Sequence, residues 1–185
     1  MLKSTLPKPT KEELIAAKGQ LVPDIIGPNL NVLFCGINPS VYSAVVGHHF
    51  ARPGNRFWPT LHNAGFTPRV LLPEEDLLLL DYGLGLTNVF ELATVGEKDV
   101  SNEEFIAGGE RLKARVTESN PQILAILGIG AYRKAFGQRK AVMGKQSIRF
   151  GETDIWVLPN PSGLNAHYQL PDLARVYGEL RAQVR

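Results

Sequence analysis

The sequence predicts a three-layer α/β/α domain, in which a central, mostly parallel β-sheet lies between helices. Short apolar runs alternate with segments of helical periodicity, and this alternation is typical of a parallel sheet covered by helices on both faces. With 185 residues, of which 44% are hydrophobic and 21% charged, the chain has the size and composition of one globular domain. We therefore predict a single domain over residues 1–185, with an N-terminal helix and connector over 1–27 and a core over 28–185.

The first half of the chain begins with a short helix and a buried strand. Thr10 precedes a pair of glutamates, which predicts a helix N-cap at this position. The apolar run over residues 31–35 predicts a buried strand, which ends because Gly36 and Pro39 follow it. A long loop is expected over residues 39–54. Further elements predicted in this half are helices over residues 55–64 and 73–80 and a strand over residues 85–90.

The second half contains the longest predicted helix. A capping-box pattern at Ser101 opens this helix, and Pro121 ends it. Pro171 occupies the first turn of a terminal helix that runs to about residue 183. The remaining predicted elements are strands over residues 122–127, 147–150 and 155–158 and a short helix over residues 132–136.

Two Asn-Pro-Ser turns each follow an apolar strand. Asn38 begins the first turn, and Asn160 begins the second. Because the carboxyl ends of strands border the ligand crevice in open parallel sheets, we predict that both asparagines face one pocket. The alternative is that both turns only reverse the chain, since Asn bonds its own backbone and Pro fixes φ.

The cysteine, the histidines and the chain composition argue against several classes of protein. Cys35 is the single cysteine, so a disulfide within the chain is impossible, and its apolar surroundings predict a small packed side chain. His48 and His49 are adjacent and diverge on an extended segment, and no histidine has a partner at a metal-ligand spacing. We therefore expect no metal. No apolar segment is long enough to span a bilayer and no signal-peptide pattern is present, so we expect no membrane association and a cytoplasmic location.

The charged residues are unevenly distributed, although the net charge is only +2. Residues 74–104 contain nine acids and one base, whereas residues 110–149 contain nine bases and two acids. The basic segment is suited to a phosphate-facing surface, because contacts with a nucleic-acid backbone give affinity without sequence preference. Taken alone, the basic segment is more simply interpreted as solvated helix faces. A noncatalytic DNA-binding domain stays open as an alternative function.

A glycine-rich turn provides a second alternative. Gly128-Ile129-Gly130 follows a predicted strand and opens a helix, as in the phosphate-binding turn of dinucleotide folds. Arg133 occupies the place of the third glycine, and the acidic residue expected about 20 residues further on is absent. A tight strand-to-helix turn is the favoured interpretation, and a nucleotide-binding α/β enzyme that uses Gly128–Gly130 stays open.

Four ordered motifs carry a resemblance to a known family. They are Gly36-Ile37-Asn38-Pro39, Phe50-Ala51-Arg52-Pro53-Gly54-Asn55-Arg56-Phe57-Trp58, Leu86-Thr87-Asn88 and Asn160-Pro161-Ser162-Gly163-Leu164. From about Pro28 to the C-terminus, the chain resembles the mismatch-specific uracil-DNA glycosylases, the Mug and thymine-DNA glycosylase branch of the uracil-DNA glycosylase superfamily. The resemblance implies a three-layer α/β glycosylase domain of base excision repair that binds double-stranded DNA, flips a damaged or mismatched pyrimidine and hydrolyses its N-glycosidic bond without a cofactor. Uracil is the implied substrate, with ethenocytosine or thymine opposite guanine as further ones.

The resemblance also assigns roles around the first turn. Asn38 is the implied catalytic residue, which places the attacking water; an amide orients water but does not accept a proton near neutral pH. The main chain of Ile37 and Phe50 is implied to meet the base edge, and the Phe50 ring to stack on the base. Ser43 matches a position near the pyrimidine 5-substituent, and Asn88 is a second polar group near the site. No lysine falls on a matched base-contact position, so the implied product is free base and an intact abasic strand.

The second turn resembles the family's insertion loop. Gly163 and Leu164 are implied to enter the gap left by the flipped nucleotide, and Ser162 to hold a flanking phosphate, with Asn160 bracing the loop. Asn165-Ala166 replaces the Ser-Arg of one well-known branch. Recognition of an opposite guanine is therefore left open, with Asn165 and His167 as possible substitutes for the arginine. We expect a monomer, because no large unpaired apolar stripe is evident.

Overall fold

The structure is a computed structural model that describes residues 4–184, and it contains one five-stranded sheet. The strand order is β2-β1-β3-β5-β4, and all neighbouring pairs are parallel except β4 with β5. The predicted α/β fold with a mostly parallel sheet is therefore confirmed, whereas the assignment of residues 1–3 and 185 to the domain lies outside the described residues. The strands are β1 Val32–Gly36, β2 Leu84–Asn88, β3 Ile123–Leu127, β4 Gly144–Phe150 and β5 Thr153–Leu158.

The described residues also form six α-helices and two 3₁₀ helices. Thr10 and Ser101 cap their helices as predicted, and each forms a reciprocal capping box with the glutamate three residues later. The predicted helix after Pro73 is a 3₁₀ helix, Pro73–Tyr82, and a second one spans Glu97–Asp99. The α-helices are α1 Lys11–Ala16, α2 Val41–Val46, α3 Phe57–Asn63, α4 Asn102–Ser119, α5 Ile129–Phe136 and α6 Leu170–Arg181.

The prediction of a continuous loop over residues 39–54 is wrong, because helix α2 lies within it. The Ser40 side chain accepts a hydrogen bond from the Ser43 N–H at 3.0 Å and so caps the helix N-terminus. Gly47 ends the helix with a left-handed φ of +77°, which is favourable for glycine. The helix has only six residues, too few for an apolar periodicity to reveal it.

The sheet buries both faces, and alternate residues of each strand face opposite helical layers. In β1, Val32 and Phe34 pack in one core with α3 and α6, whereas Leu33 and Cys35 pack in the other with α4 and α5. The chain reverses its strand order between β1 and β3, and the crevice at such a switch point is the usual ligand site of an open α/β sheet. The carboxyl ends of β1, β2, β3 and β5 meet at this edge.

The segment before β1 closes the side of the sheet next to β2. Ile25 forms an antiparallel bridge with Leu86, and Leu21 forms one with Leu92. Within residues 4–184, none of the helices is long and apolar enough to cross a membrane.

Candidate functional site

A pocket of about 350 Å³ opens at the carboxyl edge of the sheet. It brings together residues of both Asn-Pro-Ser turns, which are more than 100 positions apart in the chain. Gly163 is not among the lining residues but lies between Ser162 and Leu164, which are. The sequence-predicted site residues that line the pocket are Ile37, Asn38, Ser43, Phe50, Asn88, Asn160, Ser162, Leu164 and Asn165.

The Asn38 side chain is held by two hydrogen bonds from its amide nitrogen. Nδ2 donates to the Pro39 carbonyl at 3.0 Å and to Thr94 Oγ1 at 2.7 Å. Thr94 Oγ1 donates its own hydrogen to the Gly96 carbonyl at 2.9 Å, so it acts as the acceptor toward Asn38. Because both partners are acceptors, the amide nitrogen must face them. Oδ1 is therefore the acceptor that stays available to a water.

Thr94 is a site residue that the sequence did not reveal. Its N–H donates to the Pro39 carbonyl at 3.1 Å, and its carbonyl accepts from the Val41 N–H at 3.3 Å. The segment after β2 is thereby tied to both ends of the first turn. The only sequence signal is a threonine in an irregular segment, which is common on protein surfaces.

Phe50 has a backbone conformation that is rare for a large side chain, with φ of +52°. Its ring stacks on the ring of Phe57, with centroids 4.1 Å apart and an interplanar angle of 22°. The N–H groups of Phe50 and Ile37 have no hydrogen-bond acceptor among the described residues. Both residues line the pocket, so an aromatic ring and two main-chain donors border the same cavity.

The floor of the pocket contains an amide without a partner. The Asn88 side chain is 4% exposed and makes no hydrogen bond with the described residues, although it borders the pocket. A Cβ atom on Gly36 would lie 2.5 Å from Asn88 Oδ1 and 3.3 Å from Phe50 Cζ, so only glycine leaves room for both side chains. Buried polar groups normally have a partner, and the Asn88 amide is therefore suited to bind a ligand.

Ser43 is buried beside this floor and connects two segments of the pocket wall. Its Oγ accepts hydrogen bonds from Ser40 Oγ at 3.1 Å and from the Ala51 N–H at 3.3 Å. The hydroxyl thereby fixes helix α2 against the segment that carries Phe50.

The adjacent histidines bind different partners and point apart. His48 Nδ1 lies 3.1 Å from Asp76 Oδ2, whereas His49 Nε2 lies 2.9 Å from the Pro23 carbonyl. Burial lowers the pKa of His49 below its usual value, so this side chain is neutral near pH 7. In the part of the chain that the structure describes, no group of three His, Cys, Asp or Glu side chains is suited to hold a metal ion.

The loop over residues 160–168, which the sequence predicts to be an insertion loop, is held in part by its own side chains. Asn160 Oδ1 accepts from the Ser162 N–H at 2.9 Å, and Ser162 Oγ accepts from the Leu164 N–H at 3.2 Å. Asn165 donates from Nδ2 to the Asn160 carbonyl at 2.9 Å, and its Oδ1 accepts from the His167 N–H at 3.1 Å. Because both polar ends of the Asn165 amide are engaged within the loop, Asn165 is a poor substitute for an arginine that reads an opposite base.

Leu164 projects from this ordered loop into solvent, with 81% of its surface exposed. At this exposure, a large apolar group gains little packing from the rest of the described chain. Its place at the pocket mouth is suited to insertion into another molecule.

The glycine turn after β3 does not provide an empty phosphate site. Glu97 Oε1 lies 3.5 Å from the position that a Cβ atom on Gly130 would take. This carboxylate occupies the amino end of α5, where a phosphate would have to bind, and like charges repel there. The structure therefore does not favour the nucleotide-binding alternative.

The basic segment of residues 110–149 is largely neutralised by acidic partners. Five of its nine bases form ion pairs, so they do not form one surface of free cations. Arg115 pairs with Asp24 and Glu91, and Arg149 pairs with Asp154. The alternative that this segment alone binds DNA is correspondingly weakened.

Comparisons with known proteins agree with the fold. A family model of the Uracil DNA glycosylase superfamily matches residues 23–181. The fold is similar to the solution NMR structure of a protein from Methanosarcina acetivorans that is described as a candidate uracil DNA glycosylase, with a TM-score of 0.57 and 19% sequence identity. The alignment covers 89% of this chain and 98% of that protein.

Proposed function

Because the chain belongs to the uracil-DNA glycosylase superfamily, we propose that it is a monofunctional glycosylase that releases uracil from mismatched duplex DNA. The observation that carries this proposal is the composition of the pocket. One mouth contains the oriented Asn38 amide, the Phe50 ring and the exposed Leu164 side chain. These groups correspond to the three tasks of such an enzyme, which are to place water, to hold the base and to fill the gap in the duplex.

The first step is extrusion of the nucleotide. Taking a base out of the stack costs a few kcal/mol and least at a mismatch, so weak pairing contributes to substrate choice. Leu164 enters the vacated space and offsets part of that cost with apolar contact. Ser162 Oγ already accepts the Leu164 N–H, which leaves its hydrogen to bind a flanking phosphate.

The flipped base then binds in the pocket on three sides. Its face stacks on Phe50, which contributes about 1–3 kcal/mol for any base. Its edge meets the N–H groups of Ile37 and Phe50 and the side-chain amide of Asn88. An amide offers both a donor and an acceptor, and these complement the O4 and N3–H groups of uracil.

Bond cleavage follows a dissociative course in this proposal. The C1′–N1 bond breaks with its electron pair leaving on the base, and the main-chain donors stabilise that developing anion. A water held by Asn38 Oδ1 adds to the cationic C1′ and loses its proton to solvent, because the amide does not accept it. None of the described residues that line the pocket is lysine, so in this proposal no imine forms and the abasic strand stays intact.

The substrate range extends from uracil to ethenocytosine and thymine in this proposal. The Ser43 hydroxyl is fixed at the pocket wall, and its small size leaves space beside the pyrimidine 5-position. Preference for an opposite guanine is weak in this proposal, because the Asn165 amide is engaged within the loop. The enzyme acts as a monomer and requires only duplex DNA and water.

The test is a single-turnover assay with excess enzyme on duplexes that carry U·G, U·A, T·G or ethenocytosine·G pairs. Free base and alkali-labile sites are measured together. We expect product from U·G and a loss of about a hundredfold or more in Asn38→Ala, in line with the loss of one positioned group in a catalytic site. Asn63→Ala, which changes an exposed asparagine on α3, is the matched control.

The two outcomes that refute the proposal are distinct. Absence of product from every duplex with the wild-type protein refutes the glycosylase activity. Product from wild type and Asn38→Ala at equal rates refutes the role of Asn38 while leaving the activity in place.

A further inference from the structure

Arg56 lies beneath the insertion loop and contacts four of its carbonyl groups. Nη1 donates to the Tyr168 carbonyl at 2.5 Å, and Nη2 donates to the Asn165 carbonyl at 2.9 Å and to the Ser162 carbonyl. Nε donates to the Pro161 carbonyl at 3.4 Å, and the Arg56 main-chain N–H donates to the same oxygen at 3.0 Å. All three guanidinium nitrogens therefore bind one loop.

The chemistry of this contact is unusual for an arginine. Arg56 is half-buried and has no carboxylate partner among the described residues, and the protein groups that bind its guanidinium are loop carbonyls. Hydrogen bonds from a charged donor are about twice as strong as neutral ones. The guanidinium is a rigid, planar fork, and a lysine ammonium does not reproduce its directions.

A second contact joins the loop to the same segment. A Cβ atom on Gly163 would lie 2.6 Å from the Gly54 carbonyl oxygen, so the two backbones pack directly on each other. Phe57, the residue after Arg56, is fully buried in the core, and its ring stacks on the ring of Phe50. The segment 50–57 therefore connects the base platform with the loop that presents Leu164.

We propose that Arg56 is a positioning residue that presents Leu164 to the duplex as a rigid wedge. The inference rests on the glycosylase function proposed above and assigns Arg56 to base flipping, not to bond cleavage. Holding the loop before DNA arrives removes the cost of ordering it during binding. A loop without this contact has to be ordered in the same step in which the base is extruded.

Single-stranded DNA separates base flipping from bond cleavage, because its uracil enters the pocket without being extruded from a duplex. We expect Arg56→Lys to lower the single-turnover rate on a U·G duplex by about tenfold or more, as for loss of charge-assisted hydrogen bonds. The rate on single-stranded uracil DNA should fall by less than about threefold, since its base needs no wedge. Arg175→Lys, in a surface pair on α6, is the matched control and should change neither rate.

A double-mutant cycle tests whether Arg56 acts through Leu164. Leu164→Ala alone should also slow the duplex reaction selectively. If Arg56 serves only to hold that side chain, the double variant is no slower than the slower single variant, whereas independent effects multiply. Fluorescence of 2-aminopurine beside the uracil reports flipping directly, and it should change more slowly in Arg56→Lys.

Hydrogen exchange of the loop provides a readout that needs no catalysis. Amides of residues 162–168 should exchange faster in Arg56→Lys than in wild type and in Arg175→Lys. Unchanged exchange overturns the proposed contact whatever the activity. Equal losses on duplex and single-stranded DNA overturn the role in flipping, and where wild type cleaves the duplex alone, a 2-aminopurine signal that changes as fast in Arg56→Lys as in wild type overturns it. Failure of wild type on both substrates refutes the glycosylase function instead.

Discussion

Replacement of Thr94 by valine tests how the Asn38 amide is oriented. Valine keeps the shape of threonine but removes the hydroxyl that accepts the 2.7 Å hydrogen bond from Asn38 Nδ2. The Pro39 carbonyl is then the single anchor of that nitrogen. Oδ1 loses its fixed direction, and the water that it binds is less often in line with the sugar.

The size of the effect follows from the contacts that are lost. One neutral hydrogen bond contributes about 1 kcal/mol net, and an unpaired Gly96 carbonyl adds a similar amount at most. If the loss appears in the transition state, the excision rate falls about fivefold to thirtyfold. Binding of the duplex should change little, because Thr94 is buried and is not among the described residues that line the pocket.

The assay is single-turnover release of uracil from a U·G duplex, together with affinity for a duplex that carries a 2′-fluorinated deoxyuridine. Fluorine at C2′ disfavours the sugar cation, so this analogue binds without being cleaved. Thr94→Ser retains the hydroxyl and is the matched control. Thr94→Val that cleaves as fast as wild type refutes the reasoning, and an equal slowing in Thr94→Ser assigns the effect to packing instead.

Three further predictions concern Asn88, Gly163 and Cys35. Asn88→Leu removes the unpartnered amide and should lower uracil excision about tenfold or more, because a site that hydrogen-bonds its ligand loses about 1–3 kcal/mol when one partner is removed; an unchanged rate contradicts the role of this amide. Gly163→Ala places a Cβ 2.6 Å from the Gly54 carbonyl, so it should slow duplex cleavage while single-stranded cleavage serves as the internal control. Burial raises the pKa of the Cys35 thiol, so a thiol reagent should label it only after unfolding. Because the pKa is higher in the folded state, the protonated thiol contributes stability below the unfolded thiol pKa of about 8.5. This contribution is lost as the pH rises through the higher folded pKa. Rapid labelling of the native protein, or no loss of stability at alkaline pH relative to Cys35→Ala, would contradict it.

The strands and the two turns were predictable because their signals are local. A continuous apolar run followed by glycine and proline is contained in a few neighbouring residues, as after β1 and β5. Helix α2 was missed because six residues carry no periodicity, although Ser40 and Gly47 mark its ends. The same locality explains why the capping boxes at Thr10 and Ser101 were recognisable.

The supporting contacts of the site were not predictable in the same way. The bond between Asn38 and Thr94 joins residues 56 positions apart, and it depends on the pairing of β1 with β2 and on the path of the chain beyond it. Arg56 binds main-chain carbonyls, which every residue possesses and which leave no mark in a sequence. The sequence therefore indicated the residues that face the pocket, and Asn160 as a support of the loop, but not the long-range supports Thr94 and Arg56.

The conformation of Phe50 places two kinds of selection in conflict at one position. A left-handed backbone costs an ordinary residue about 1–2 kcal/mol, and glycine avoids that cost. A screen for resistance to heat alone will favour substitutions at position 50 that tolerate a positive φ, such as glycine. This holds if loss of the contact with Phe57 costs less stability than the left-handed backbone does. A screen that scores release of uracil will instead retain an aromatic side chain, so a library at position 50 measures how much stability the protein exchanges for activity.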